Sequence, residues 1–461
     1  MSDSGTPRSA QQLREDALAI WHAGLDAVKA DRLVMDNVHV SGGKLVIGEE
    51  EIGLERVRRI VVVGAGKAGA AMAVGLESAL GLHQLKEKQV CGWLNVPAGS
   101  EQPTQVIRLH AARPAGINEP TEEGIAGTRE IMRLVETAAA DDLVICLLSG
   151  GGSALMPDPI EGISLADKQS VTRFLSGAGA NIQQLNTVRK HLSCVKGGGL
   201  AQACTARRMI TLIISDVLGD PLDVIASGPT VADSSTPQDA LAILEQFDTD
   251  DSLPETVYAA LQGQAARKAQ QTEEAEQPPC SVTNLIIGNN AIAVDAAGME
   301  AERRGYSHAM HAATSLEGDA ESIGRHLARM AIRMRQKDGP DCLITGGEPV
   351  VQLAEESVRG KGGRNQQLVL AAAIELIAQQ ADCAGICLLS GGTDGEDGPT
   401  DAAGALFDAD IADSLARQNL AATDFLERND AYHFFAPLDG LIKTGPTNTN
   451  VCDIRVAVVD R

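Results

Sequence analysis

The residues of this chain that could do chemistry gather at glycine-rich turns. The first turn lies in VVVGAGKAGAAMA, Val61 to Ala73. Gly64 and Gly66 suit a tight turn and the close approach of a phosphate, and Gly69 lets a helix pack on a sheet. The helix start would add free N–H groups and the positive end of a dipole. Lys67, inside the turn, points to an anion that needs neutralising. A nicotinamide dinucleotide site also needs an acidic residue about 20 positions on; here the next apolar run closes on Leu94-Asn95. The second turn lies in LLSGGGSALMPDP, Leu147 to Pro159. Ser149, Gly150, Gly151, Gly152 and Ser153 can form a backbone nest for phosphate. A flexible strand-to-helix turn is the plainer reading.

Five further segments carry candidate groups. NTVRKHLSCVKGGGLA sets Arg189, Lys190, His191 and Lys196 as a basic patch in an acidic protein. Arg189 and Lys196 are anion candidates there, while His191 reads as a general base or a structural histidine. In ISDVLGDPLDVIASGPT, Asp216 stands at a strand end, where a carboxylate can hold Mg2+ or act as a base. Asn289 follows another strand end in GNNAIA. GGEPVVQL and GKGGRNQQLVLA supply Glu348, Arg364 and Asn365; a guanidinium is a bidentate donor suited to carboxylate or phosphoryl groups. SGGTDGEDGPTDAAG, with Asp394, Glu396, Asp397 and Asp401, looks like a metal-rich acidic loop without EF-hand spacing. Lys67, Lys196, Lys361, Arg364 and Lys443 all stand beside such turns, which suggests one site for phosphate and carboxylate groups.

The elements that must position these residues follow a repeating pattern. Apolar runs at Ile60–Val63, Leu143–Leu148, Ile210–Ile214, Leu285–Ile287, Leu343–Ile344 and Ile386–Leu389 each end in glycine or small polar residues, and a helical pattern follows most of them. Continuous apolar strands of this kind belong to parallel α/β sheets, whose ligands sit at the carboxyl ends of the strands. An amphipathic helix is expected from Gln11 to Leu33. The polar, proline-closed stretch 262–279 reads as a linker or surface insertion, dividing a domain at 1–250 from one at 280–461. CLLSGG occurs in both halves.

Composition removes several function classes. The net charge of −23 argues against general nucleic-acid binding, and 2% aromatic residues leave little for stacking platforms. Nine cysteines occur without a CxxC pair, which reads as free thiols in a reducing, cytoplasmic compartment. No run of about 18 apolar residues predicts a membrane span. The oligomeric state is not fixed, and a homo-oligomer is compatible.

GAGKAG, LLSGGGSALMPDP, NTVRKHLSCVKGGGLA, SDVLGDPLDVIASGPT, GKGGRNQQ, SGGTDGEDGPTDAAG and TGPTNTNVCD, in this order, resemble the class II glycerate kinases, whose C-terminal part is called the MOFRL domain. The resemblance runs from about residue 15 to 458. It implies a Rossmann-like parallel-sheet N-terminal domain, a second α/β domain with a mixed sheet, and an active site in the cleft between them. It also implies transfer of phosphate from ATP, with Mg2+, to D-glycerate, giving 2-phosphoglycerate. Lys67 and Arg364 fall on the family's active-site lysine and arginine. Asp216 is the candidate for activating the 2-hydroxyl or holding Mg2+, with Asp394 and Glu348 as further metal candidates. Where some members carry a histidine-proline motif, this chain has Ala112-Arg113-Pro114-Ala115-Gly116. A nicotinamide-dependent hydroxypyruvate reductase and a non-enzymatic nucleotide or sugar-phosphate sensor are the rival readings.

Overall fold

The computed structural model describes residues 8–114, 116–117, 119–250, 252–270, 280–418 and 420–460. The chain forms two compact units, one of residues 30–287 and one joining the segment up to Lys29 with the chain from Gly288 onward.

The unit 30–287 begins with an antiparallel meander, Val38–Ser41 (β1), Lys44–Ile47 (β2) and Glu50–Gly53 (β3). Its main sheet uses Ile60–Ala65 (β4), Cys91–Pro97 (β5), Ile107–Arg113 (β6), Leu143–Leu148 (β7), Arg208–Ile214 (β8) and Ser281–Gly288 (β9). The order is β6-β5-β4-β7-β8-β9, and the pairs β4/β5, β5/β6, β4/β7 and β7/β8 are parallel. Every residue of β4 and β7 is buried, as expected of strands covered on both faces. Val61, Val63, Val144 and Cys146 pack with Ile131 and Val135 of the helix Glu122–Glu136. The strand order reverses between β4 and β7, and in doubly wound sheets the crevice at such a reversal binds the ligand. Both glycine turns leave the sheet there, since Ala65 pairs with Leu148. A satellite core of Val171, Leu175, Val188, Leu244 and Val257 holds the helices Leu165–Gly177 and Ile182–His191. Ser164 and Asn181 start these two helices with capping boxes.

The other unit has a mixed sheet of His308–Ala312 (β10), Cys342–Gly347 (β11), Ile386–Gly392 (β12), Gly404–Phe407 (β13), Leu441–Ile442 (β14) and Asp453–Val459 (β15). Its order is β10-β11-β15-β12-β13-β14. Only β10/β11 is parallel; the fully buried β15 runs antiparallel to both of its neighbours.

Three boundaries differ from the sequence-based expectation. The first helix, Ala10–Ala27, ends before Leu33, because the Val28 carbonyl accepts from Thr449 Oγ1 at 2.5 Å instead of continuing a helical ladder. That helix was assigned to the N-terminal domain, yet Trp21 Nε1 donates to Gly391 O at 3.3 Å in β12. At Gly24 a methyl group would lie 2.7 Å from Ala293 O and 2.8 Å from Ile454 Cδ1, so a glycine is required for the contact. The run ending in GNNAIA was assigned to the C-terminal domain; it is β9, which joins β8 in the first sheet. Of the expected linker, residues 262–270 continue the helix Glu255–Gln270, and residues 271–279 lie outside the described residues. Trp21→Ala should cost about 3–5 kcal/mol in urea denaturation. Hydrogen exchange should place the lost protection in β12 and β15; loss confined to β4 and β7 would contradict this grouping.

Candidate active site

The two glycine turns of the first sheet are fitted together more closely than side chains allow. A Cβ at Gly64 would lie 2.0 Å from Leu147 O, and one at Gly66 would lie 2.0 Å from Ser149 Oγ. The amides of Gly66, Lys67 and Ala68 donate to Asn95 O (3.2 Å), Gly150 O (2.8 Å) and Ser149 Oγ (3.0 Å). The expected phosphate-facing N–H groups of the first turn are therefore bonded to protein. Gly64, Gly66 and buried Ser149 act as the lock that holds the second turn in place.

That second turn carries the charge. Gly151 has φ +77°, a conformation that favours glycine, and among the described residues no backbone carbonyl accepts from the amides of Gly150 or Gly151. A Cβ at Gly151 would sit 3.3 Å from both Lys67 Cγ and Arg113 Nη2, and one at Gly150 would sit 2.0 Å from Asp216 Oδ2. Lys67, Arg113 and Asp216 thus surround two glycines. Arg113 is not among the sequence-based candidates, although it stands at the end of β6. Gly152 packs on Ala226, 3.0 Å from the Cβ it lacks.

Ser153 is the next node. Its Oγ accepts from Arg189 Nη2 at 2.8 Å and Lys196 Nζ at 2.5 Å, and Lys196 also donates to Ser153 O at 2.7 Å. Ser227 Oγ lies 3.0 Å from the same hydroxyl. Ala226 and Ser227 hold φ of 51° and 63°, a strain of about 1–3 kcal/mol per residue. Burial, and then the Arg189 charge, pull Lys196 well below the usual lysine range. Lys168 was not foreseen: burial first, then Arg189, bring its amine down to about 7. Lys190 and His191 turn elsewhere, to Asp233 at 3.4 and 3.6 Å, with Ser235 Oγ 3.1 Å from His191 Nε2.

In the second unit the organiser is Asp453, fully buried at the start of β15 between Gly347 and Gly392. Its oxygens hold Arg364 in a fork, Nε at 2.7 Å and Nη2 at 3.0 Å, while Glu348 takes Nη1 at 2.9 Å. Burial opposes the Arg364 charge, but Asp453 and Glu348 outweigh it and raise its pKa further. Glu348 is pushed up, first by burial, against the pull of Arg364. The acidic loop does not assemble as one cluster. Asp397 accepts the amides of Asn365 (3.0 Å) and Gln366 (2.8 Å), capping the helix Arg364–Ala378. Asp401 binds Lys443 at 2.9 Å and Tyr432 OH at 2.7 Å, Glu396 is exposed, and Asp394 Oδ1 accepts from Glu396 N at 3.1 Å. Among the described residues, no three His, Cys, Asp or Glu side chains converge on a metal position. Two more candidates have structural partners: Asn365 is buried on Asp397 and Ser390, and Asn289 caps the helix Asn290–Arg303. Lys361 and Lys443 flank the Tyr432 ring at 4.7 and 5.5 Å, apart from the Arg364 group.

A family model described as "Domain of unknown function (DUF4147)" matches residues 16–262, and the MOFRL family model matches residues 341–453. Glycerate kinase of Rattus norvegicus is 35% identical, over 98% of this chain and 94% of its own length. The chain belongs to the glycerate kinase family. D-glycerate 2-kinase of Thermotoga maritima is 36% identical, over 97% of this chain and 99% of the relative. The crystal structure of glycerate kinase from the same organism superposes with a TM-score of 0.81 at 35% identity, covering 97% of this chain and 100% of that one. In this glycerate kinase, the sequence-assigned Lys67 and Arg364 belong to different compact units. Replacing Asp453 with Asn breaks the fork on Arg364 while keeping the side-chain size. Asp453→Asn should lower stability by about 3–5 kcal/mol and lower activity, read by thermal melts and kcat; a wild-type melt would mean that the fork contributes nothing.

Proposed function

We propose that the chain transfers the γ-phosphoryl group of ATP to the 2-hydroxyl of D-glycerate, giving 2-phosphoglycerate and ADP. The supporting observation is the set Lys67, Arg113 and Asp216 around Gly150 and Gly151, at the sheet reversal where α/β folds hold phosphates. Phosphoryl transfer asks chiefly for positioning and charge neutralisation. Lys67 neutralises charge that builds on the transferring group. Asp216 takes the proton of the 2-hydroxyl or holds Mg2+. A bound Mg2+ would neutralise the nucleotide's phosphate oxygens, and it commonly takes much of its coordination from phosphate and water, which fits a single strand-end carboxylate. Arg364 has three of its five N–H groups on Asp453 and Glu348, which leaves two for a substrate carboxylate or phosphoryl oxygen. The free cysteines among the described residues suit a reducing cytoplasm.

A reductase reading is disfavoured by Asn95. Its side-chain amide is buried and donates to Leu155 O at 2.8 Å and Thr128 Oγ1 at 3.3 Å, where a dinucleotide site would offer a carboxylate to ribose. The test is a coupled assay with D-glycerate and MgATP beside hydroxypyruvate and NADH, with the product identified by phosphorus NMR. ADP with 2-phosphoglycerate is expected; NADH oxidation without ADP would reject the proposal. Lys67→Ala should lower kcat by about 10²–10³ with little change in KM, and an unchanged kcat would remove Lys67 from the transition state.

A further inference from the structure

Three cations of the unit 30–287 lie within electrostatic reach of one another, and two of them meet at Ser153. Lys196 and Arg189 converge on Ser153. Lys168 comes from a separate helix, Leu165–Gly177. It is 7% exposed, and its amine has no hydrogen-bond partner among the described residues. The charged and titratable groups acting on it include Arg189, Asp158 and Cys194, and Lys196 interacts with it as well. Asp158, the one carboxylate in that group, is already paired with Arg129 at 3.6 Å. Arg189 and Lys168 in turn act on Lys196. Buried amines normally have an acceptor, so the group lacks an anion. Ser153 and Arg189 are half-buried, so each keeps part of its surface in solvent.

We propose that Lys168, Arg189 and Lys196, together with Ser153, form a receptor for one compact oxyanion, either the carboxylate of glycerate or a phosphoryl group of the nucleotide. The choice of these two anions rests on the kinase reading above. In the free protein the cations repel one another, and Lys168 is pressed down to about 7. An anion supplies the missing acceptor and draws a proton onto the amine. Binding therefore takes up a proton above pH 7, and affinity falls as pH rises through this range. Lys168 is a positioning residue that sets the charge of the receptor.

The test is isothermal titration of the full chain at pH 7.5 with inorganic phosphate, D-glycerate and ADP as separate probes, in two buffers of different ionisation enthalpy. Lys168→Met keeps the length and removes the charge. For at least one probe, Kd should rise roughly ten- to hundredfold, and the proton uptake of the wild type should fall by the share that Lys168 carries, Lys196 keeping its own. Loss confined to glycerate assigns the carboxylate; loss shared by phosphate and ADP assigns the phosphoryl group. The free variant should melt no lower than wild type, since an unsatisfied buried amine is gone. Unchanged affinity for all three probes, or no binding of any probe by wild type, overturns the proposal. Should the Met variant not fold, Lys168→Arg is expected to keep binding with a weaker pH dependence than wild type; a wild type whose affinity for D-glycerate and ADP does not fall as pH rises from 7 overturns the proposal as well. A wild type that binds a probe with proton uptake but does not phosphorylate glycerate would refute the kinase reading and leave the receptor standing.

Discussion

The steric contact between Gly64 and Leu147 governs the first unit. No Cβ fits at Gly64, because Leu147 O would lie 2.0 Å away. With the strands drawn this close, the two turns leaving β4 and β7 bond to each other through Lys67 N and Gly150 O. Everything charged is placed from that junction. Lys67 is carried by the first turn, Asp216 stands against the second, and Ser153 starts the short helix that meets Arg189 and Lys196. A methyl group at Gly64 or Gly66 would force the turns apart and move all of these groups together, although it touches none of them.

The second unit solves a comparable problem with charge. Asp453 sits where three strands line up, with Gly347 on one side and Gly392 on the other. Small neighbours leave room for a guanidinium, and the buried carboxylate holds it in a two-point fork. Two carboxylates on one arginine give this locus a net negative charge, whereas the locus around Ser153 is positive.

The apolar runs of β4 and β7 and the glycines after them were plain in the sequence, because buried parallel strands need both. Parts that depend on distant partners were not. The first helix has a clear apolar face, but nothing local says that its partner is β12. Asp453 closes a motif that was picked out, yet its role depends on Arg364, 89 positions away. Asn365, next to Arg364, looked like a ligand because polar residues at a helix start often are; the Asp397 carboxylate turns it inward. Lys168 has no sequence signal: lysines are mostly exposed, and its helix carries no sign that this one faces the interior.

The first helix has a consequence for how the chain is made. Trp21 and its apolar neighbours are made well before the segments they pack against, and Ile454 is added roughly 430 positions later. At about 5–20 residues per second this is a delay of roughly 20–90 s. Until Ala293 and its helix are made, the apolar face lacks the first of these partners, while the sequence of residues 30–287 is already complete. The first helix is thus the part of its unit that waits longest for its full set of partners.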